Sequence, residues 1–274
     1  MEQDLDNFTY GLEIEFVDTD RETITLPRGC SWNKKEVTLV NSDGVAVDST
    51  GRTKNTRGGE INTCPTDTLD EQVNVAEKCL KVLKNGNAKV NYRCNLHVHV
   101  GLSPKHQNVE SLKKIQKYAY DNFTDLIMLT MGEGQFNKKP EYPLSFWSHY
   151  KERMVPKYKH DYLLQSDSLK DFQMTFFKAK DGRHAPMTFM RQLVNTHSFF
   201  KTKTIEYRGF WGTLDINEIR SCLEFTDFIV FMALCPNPRP ISEYKKLFEG
   251  KFPKELPFSS KLEEGFQKTK VEKP

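Results

Sequence analysis

Three stretches of this chain alternate apolar and polar residues in the two-residue rhythm of a β-strand, and each sets ionisable side chains two positions apart. Thr9–Phe16 carries Glu13 and Glu15, Lys89–Gly101 carries His97 and His99, and Thr204–Phe210 carries Glu206 and Arg208. Successive side chains of a strand point to opposite faces, so Leu12, Ile14 and Phe16 share one face of the first, and Leu96, Val98 and Val100 one face of the second. Such a chain is expected to bury one face of a sheet and turn the charged faces together on the other side. Strands and helices mix without a regular βαβ alternation, which predicts an α+β fold: an antiparallel or mixed, curved sheet with flanking helices.

The helical segments are marked by 3.6-residue periodicity. Val73, Ala76, Leu80 and Leu83 place a helix between Thr66 and Asn85, with a capping box at Thr68 and Glu71 and a stop at Gly86. Val109, Leu112, Ile115, Ala119, Phe123 and Leu126 predict a helix over Asn108–Met131. Met187–Phe200 reads as helical, and Asp215–Leu234 as an apolar helix ended by Pro236 and Pro238. Glu36–Val40 and Val45–Asp48 flank Asn41-Ser42-Asp43-Gly44 and read as a hairpin, with a Gly/Arg/Lys/Thr-rich loop after it. The stretch 132–182 is rich in Lys, Tyr and Pro without clean periodicity and reads as an insertion or lid. One domain over residues 1–238 is expected, followed by a polar, Lys-rich extension over 239–274.

With 37% apolar and 28% charged residues, the 274-residue chain is globular in composition. Its net charge of +3 is matched by Arg239–Pro274 alone, with nine basic and six acidic residues. Nothing before Arg239 gathers positive charge into a patch, so nucleic-acid binding is unsupported. The apolar stretch Phe225–Cys235 is too short to span a membrane. Met1–Asn7 has neither a secretory nor a transit-peptide pattern, so the expected location is cytoplasmic. The six cysteines contain no CxxC pair, which argues against zinc and thioredoxin-like sites and favours reduced thiols.

The chemistry should therefore lie on the charged face. Neighbouring carboxylates such as Glu13 and Glu15 repel unless a cation sits between them. His97 and His99 sit in a β-prone strand ending in Gly101, where a ligand can approach closely. Glu60 follows the Gly58-Gly59 pair and brings another carboxylate on a conformationally free loop. Four carboxylates with one or two imidazoles and no thiolate suit hard divalent cations, Mg²⁺ or Mn²⁺, which commonly bind substrate phosphates as well. The chain has no GxxxxGK[ST] sequence, and Gly132-Glu133-Gly134 lacks the later glycine of a dinucleotide fingerprint. Any nucleotide must be held by metal ions and arginines, with Arg191 and Arg208 as candidates because guanidinium matches phosphate oxygens. Taken singly, each such pair is also what a solvated sheet face displays.

The segments Gly11-Leu12-Glu13-Ile14-Glu15-Phe16, Gly58-Gly59-Glu60-Ile61 and Leu96-His97-Val98-His99-Val100-Gly101 come in a fixed order. Arg191-x-x-x-Asn195 follows, then the run from Thr204-Ile205-Glu206-Tyr207-Arg208-Gly209 to Asp215. In that order, over about residues 9–235, the chain resembles the amidoligase family of the glutamine synthetase-like carboxylate–amine ligase superfamily. The resemblance implies a glutamine synthetase-like catalytic domain in which metal-bound ATP phosphorylates a substrate carboxylate and an amine attacks the acyl phosphate. It further implies Glu13, His97 and Glu206 at one metal ion, Glu15 and Glu60 at the other, and Glu60 as a catalytic residue. Arg191 and Arg208 would neutralise the transferring phosphate and bind nucleotide. His99 would contact nucleotide or substrate, and Asn195 would position it. The implied partners are a small-molecule or peptide carboxylate and an amine acceptor, with a modified base left open and the oligomeric state undetermined.

The chain departs from the family pattern at Asn62-Thr63-Cys64-Pro65, where a Ser-Pro is usual, and at Gln192, where a Tyr is usual. Both departures bear on substrate contacts more than on metal. Two other readings stay open at this point. One is a metal-dependent hydrolase of the HxH type, which would call for eight βα units. The other is a non-catalytic binding protein on the same fold.

Overall fold

The computed structural model describes residues 7–19, 24–33, 58–90, 94–131, 155–178, 180–181, 183 and 192–254. In chain order these form β1 (Thr9–Val17), β2 (Ser31–Trp32), β3 (Gly58–Asn62), α1 (Leu69–Asn85), β4 (Asn95–Gly101), α2 (Val109–Asp121) and α3 (Phe123–Met131). There follow α4 (Lys157–Leu164), α5 (Leu169–Thr175), β5 (Val194–Asn195), α6 (Phe199–Thr202), β6 (Thr204–Trp211), α7 (Ile216–Leu234) and α8 (Lys245–Phe248). The six strands make one sheet in the order β2-β3-β1-β4-β6-β5. Every pairing is antiparallel, which resolves the sheet as antiparallel rather than mixed. This α+β sheet contains no ring of parallel strands, so the eight-unit barrel of the hydrolase reading has no counterpart among the described residues. The hairpin at 36–48 and the loop after it lie outside them.

The apolar face of the sheet is the core. Leu12, Ile14, Phe16, Ile61, Leu96, Val98, Val100, Ile205 and Tyr207 are all buried there, in one hydrophobic cluster with the inner faces of α1, α2 and α7. In α1 the expected Val73, Ala76, Leu80 and Leu83 point inward, and the Thr68 hydroxyl accepts from the Glu71 backbone N–H. Gly86 ends this helix for lack of space rather than for a left-handed backbone. Its φ is −83°, but an added Cβ would stand 2.8 Å from Thr19 Oγ1, and the left-handed residue is Asn87.

Two segments differ from the periodicity reading. The helix expected over 108–131 is two helices, α2 and α3, because Asn122 turns its side chain onto the backbone. Its Nδ2 donates to the Tyr118 carbonyl and its Oδ1 accepts from the Ile241 N–H. Of the helix expected over 187–200, residues 187–191 lie outside the described residues, and the rest is β5, then a 3₁₀ turn over Thr196–Ser198, then the start of α6. The Asn195 side chain caps that turn by accepting from the His197 N–H, a local bond that competes with helix formation.

Residues 155–178 contain α4 and α5, and Leu163, Phe172 and, just after α5, Phe176 are fully buried, so this part of the expected insertion belongs to the core. Beyond residue 239, Ile241, Phe248 and Phe252 are buried too, and the rings of Phe248 and Phe252 lie 4.9 Å and 4.8 Å from that of Phe225.

The site depends on an irregularity in β6. Against β4, Leu96 pairs with Phe210 but Val98 pairs with Tyr207, so one extra residue enters β6 between these rungs. A strict two-residue alternation would put Phe210 on the charged side with Glu206 and Arg208. The bulge shifts the count by one and sends Phe210 into the core. There its ring centroid lies 4.6 Å from that of Tyr207, the two rings tilted, and it meets Phe225 edge-on. The bulge needs Gly209, since an added Cβ would lie 2.7 Å from Tyr207 Cε1 and still closer to Leu193 Cδ1.

Candidate metal and phosphate site

Sheet register alone brings the ionisable pairs together. Glu13 lies opposite His97, Glu15 opposite Glu60, His99 opposite both Gly11 and Glu206, and Asn195 opposite Glu206. The charged faces of five strands thus form one surface. Its members are mostly buried, Glu15, Glu60, His97, Asn195 and Glu206 each being below a tenth exposed. A solvated sheet face would leave such groups open to water, and these are withdrawn from it.

Two donor groups stand out, each with ligand atoms within 4.8 Å of one another: Glu13, His97 and Glu206 in one, and Glu15, Glu60 and His97 in the other. His97 is common to both. Its Nδ1 lies 2.7 Å from Glu13 Oε2 and 3.7 Å from Glu206 Oε1. The sequence resemblance implies His97 in the first group only, and proximity to the second appears only once β3, β1 and β4 are laid side by side. Carboxylate and imidazole donors without thiolate fit a hard divalent cation.

Electrostatic compensation favours the ionised form of Glu13 and Glu206 despite burial. For Glu13, desolvation raises the pKa, but hydrogen bonds with His97 and His99 outweigh it and hold the carboxyl far below its usual range. For Glu206, desolvation is again outweighed, here by Arg208 and then by His97 and His99. His99 is affected in the opposite sense. Burial would lower its pKa, yet the hydrogen bond to Glu13 and the charge of Glu206 raise it above the ordinary histidine value. A cluster of ionised carboxylates beside imidazoles could hold a divalent cation.

A second ring of side chains fixes these groups. Glu206 Oε2 accepts from Asn195 Nδ2 and from Ser198 Oγ, each at 2.7 Å, while its Oε1 is paired with the Arg208 guanidinium. Glu15 Oε2 accepts from the Asn95 backbone N–H at 2.6 Å and from Asn95 Nδ2 at 3.2 Å. Glu60 Oε1 accepts from Asn33 Nδ2 at 2.6 Å, and His99 Nδ1 lies 3.0 Å from Thr204 Oγ1. Of the residues expected at the site, Glu13, Glu15, Glu60, His97, His99, Asn195, Glu206 and Arg208 come together, and Arg191 lies outside the described residues. Asn195 reaches the cluster through its bond to Glu206. Asn33, Asn95, Thr204 and Ser198 were not singled out from sequence. Asn95 had a signal, being two residues before His97 on the same face, and Asn33 had none.

The sheet thus carries a largely buried cluster of carboxylates and imidazoles that could hold a metal ion, and the comparisons say which family the chain falls in. The chain belongs to the amidoligase family: the family model described as "Putative amidoligase enzyme" matches residues 32–230. That match opens after β1, so Glu13 and Glu15 join the site through strand pairing. No curated protein matches the chain. Among solved structures, a bifunctional glutathione synthetase from Pasteurella multocida is similar at 13% identity with a TM-score of 0.37, over 88% of this chain and 39% of that one. This chain therefore spans well under half of that synthetase.

Proposed function

We propose that the protein is an ATP-dependent carboxylate–amine ligase that forms an amide through an acyl phosphate, using two divalent metal ions on the charged face of the sheet. The observation that carries this reading is the pair of largely buried donor groups that share His97. Glu13, His97 and Glu206 would hold one Mg²⁺ or Mn²⁺, and Glu15 and Glu60, with His97 alongside, the other. Such ions would supply charge neutralisation for phosphoryl oxygens in a water-poor site.

The chain's own residues do the rest. Arg208 has its side chain about a fifth exposed, at the open edge of the cluster, where its guanidinium can turn from Glu206 toward an incoming phosphate. Asn195 and Ser198 hold Glu206 in place as that happens. Asn33 and Asn95 orient Glu60 and Glu15 in the same manner. His99, anchored on Thr204 and drawn toward its charged form by Glu13, would contact nucleotide or the substrate carboxylate. Arg191 is proposed as the second phosphate-binding guanidinium. The substrates would be a small-molecule or peptide carboxylate and an amine.

The acyl-phosphate route has a direct test. A substrate whose carboxylate is labelled with ¹⁸O must pass one labelled oxygen to the phosphate released, because that oxygen bridges carbon and phosphorus. Label retained entirely in the amide and residual acid would refute the route.

A further inference from the structure

Away from the charged face, three cysteines from three separate segments meet. Cys30 sits at the entry to β2, Cys64 just after β3, and Cys79 on the buried side of α1. Cys30 Sγ lies 3.7 Å from Cys79 Sγ. Cys64 packs against Gly29, the residue before Cys30, with its Sγ 3.5 Å from where a Gly29 Cβ would stand. Gly29, at φ +84°, lets the chain turn tightly here, and a Cβ at that position would stand 3.0 Å from Cys64 Cβ. Cys30 is therefore the common neighbour of the other two. The remaining cysteines, Cys94, Cys222 and Cys235, take no part in this group.

We propose that Cys30 is a shared redox thiol, able to form an intrachain disulfide with either Cys79 or Cys64 when a low-molecular-weight disulfide is supplied. A disulfide bond is about 2.0 Å long, so the Cys30 and Cys79 sulfurs need to approach by roughly 1.7 Å, which is within the reach of side-chain rotation and small backbone shifts. Half-buried Cys30 is the accessible member of the pair, since Cys79 is fully buried. Burial pushes the Cys79 thiol up in pKa, and Cys64 likewise, which keeps both protonated until a partner sulfur is activated.

The step balances with the oxidant named. The Cys30 thiolate attacks one sulfur of RS–SR, forming Cys30–S–SR and releasing RS⁻. Cys79, or Cys64, then gives up its proton and attacks the Cys30 sulfur, expelling the second RS⁻. Two protein thiols are oxidised and one small disulfide is reduced to two thiols. The reaction bears on the charged face, because Cys30 leads into Asn33, whose amide donates to Glu60.

The test is treatment of the folded full-length chain with oxidised glutathione, quenching by alkylation in denaturant, and peptide mapping without reduction. Wild type should lose two of its six thiols. The crosslinks found should be Cys30–Cys79 and Cys30–Cys64 only. Cys79→Ser should channel all crosslinking to Cys30–Cys64, and Cys64→Ser all of it to Cys30–Cys79. Cys30→Ser should keep its remaining five thiols, with circular dichroism confirming that each variant is folded. A crosslink that omits Cys30, a glutathione adduct that persists on Cys30, or six intact thiols in wild type would overturn the proposal.

Discussion

Gly209 is the residue on which the register of β6 turns, and its replacement by alanine should be costly in a way the structure specifies. The new methyl would stand 2.7 Å from Tyr207 Cε1 and 3.0 Å from Cζ, with Leu193 Cδ1 nearer still. None of these atoms can easily give way. Tyr207 is fully buried, its hydroxyl lies 3.0 Å from Thr130 Oγ1, and its ring is held between Phe210 and Phe225. Leu193 is only 2% exposed. Overpacking of such a site typically costs about 1–3 kcal/mol, and at about 2–4 °C per kcal/mol a mid-range cost lowers the Tm by roughly 4–8 °C. Gly11→Ala is the matched control. Its methyl would meet His99 Cβ at 3.7 Å, an ordinary contact, so a change within about 0.5 kcal/mol is expected. Urea unfolding followed by circular dichroism measures both, as a shift of midpoint at constant m. Equal midpoints for the two variants would refute the argument that the bulge depends on a glycine.

Lys159 supplies a pH signature. Burial lowers its pKa from 10.5 to about 8, so the unfolded chain binds more protons between these values and stability rises with pH through that window, by roughly 3 kcal/mol at most. Wild type compared with Lys159→Met by urea unfolding at several pH values should show that rise, and a flat difference would contradict it. Deleting residues 241–274 should strip Ile241, Phe248 and Phe252 from the core. At about 1.5–3 kcal/mol for each side chain, the loss is about 5 kcal/mol or more, comparable to the whole stability of many domains. The truncated chain should lose cooperative melting, and a wild-type melt would argue against that packing. Mn²⁺ at a hundred times its Kd should stabilise the protein by about 2.7 kcal/mol, or roughly 5–10 °C, as seen by differential scanning fluorimetry. Glu13→Gln should abolish most of that shift.

How far the fold could be read from sequence depended on which forces were local. β1, β4, β6, α1 and α7 follow from alternation, helical periodicity and caps, because each element's own side chains determine which face is buried. The split at Asn122 did not follow, since its cause is a bond to Ile241, more than a hundred residues away. The described part of the helix expected over 187–200 differs for a similar reason: Val194 and Asn195 pair with Tyr207 and Glu206, and that pairing overrides a segment's own propensity. The site was legible as pairs two residues apart and as motifs in order. Its closeness to a second donor group at His97, and the roles of Asn33 and Ser198, were not, because they depend on strand order and on a turn that bends back over Glu206. The bulge could not be read either, as Gly209 in a strand pattern indicates an irregularity without indicating which side Phe210 will take.

The most direct measurement of the central claim is steady-state ADP and phosphate formation from ATP with Mg²⁺ or Mn²⁺, over a panel of carboxylates and amines, by wild type and by Glu206→Gln. The account predicts turnover that requires metal, a carboxylate and an amine together, and that falls by at least about a hundredfold in Glu206→Gln. Turnover that is indifferent to the amine, or that survives intact in Glu206→Gln, would contradict it.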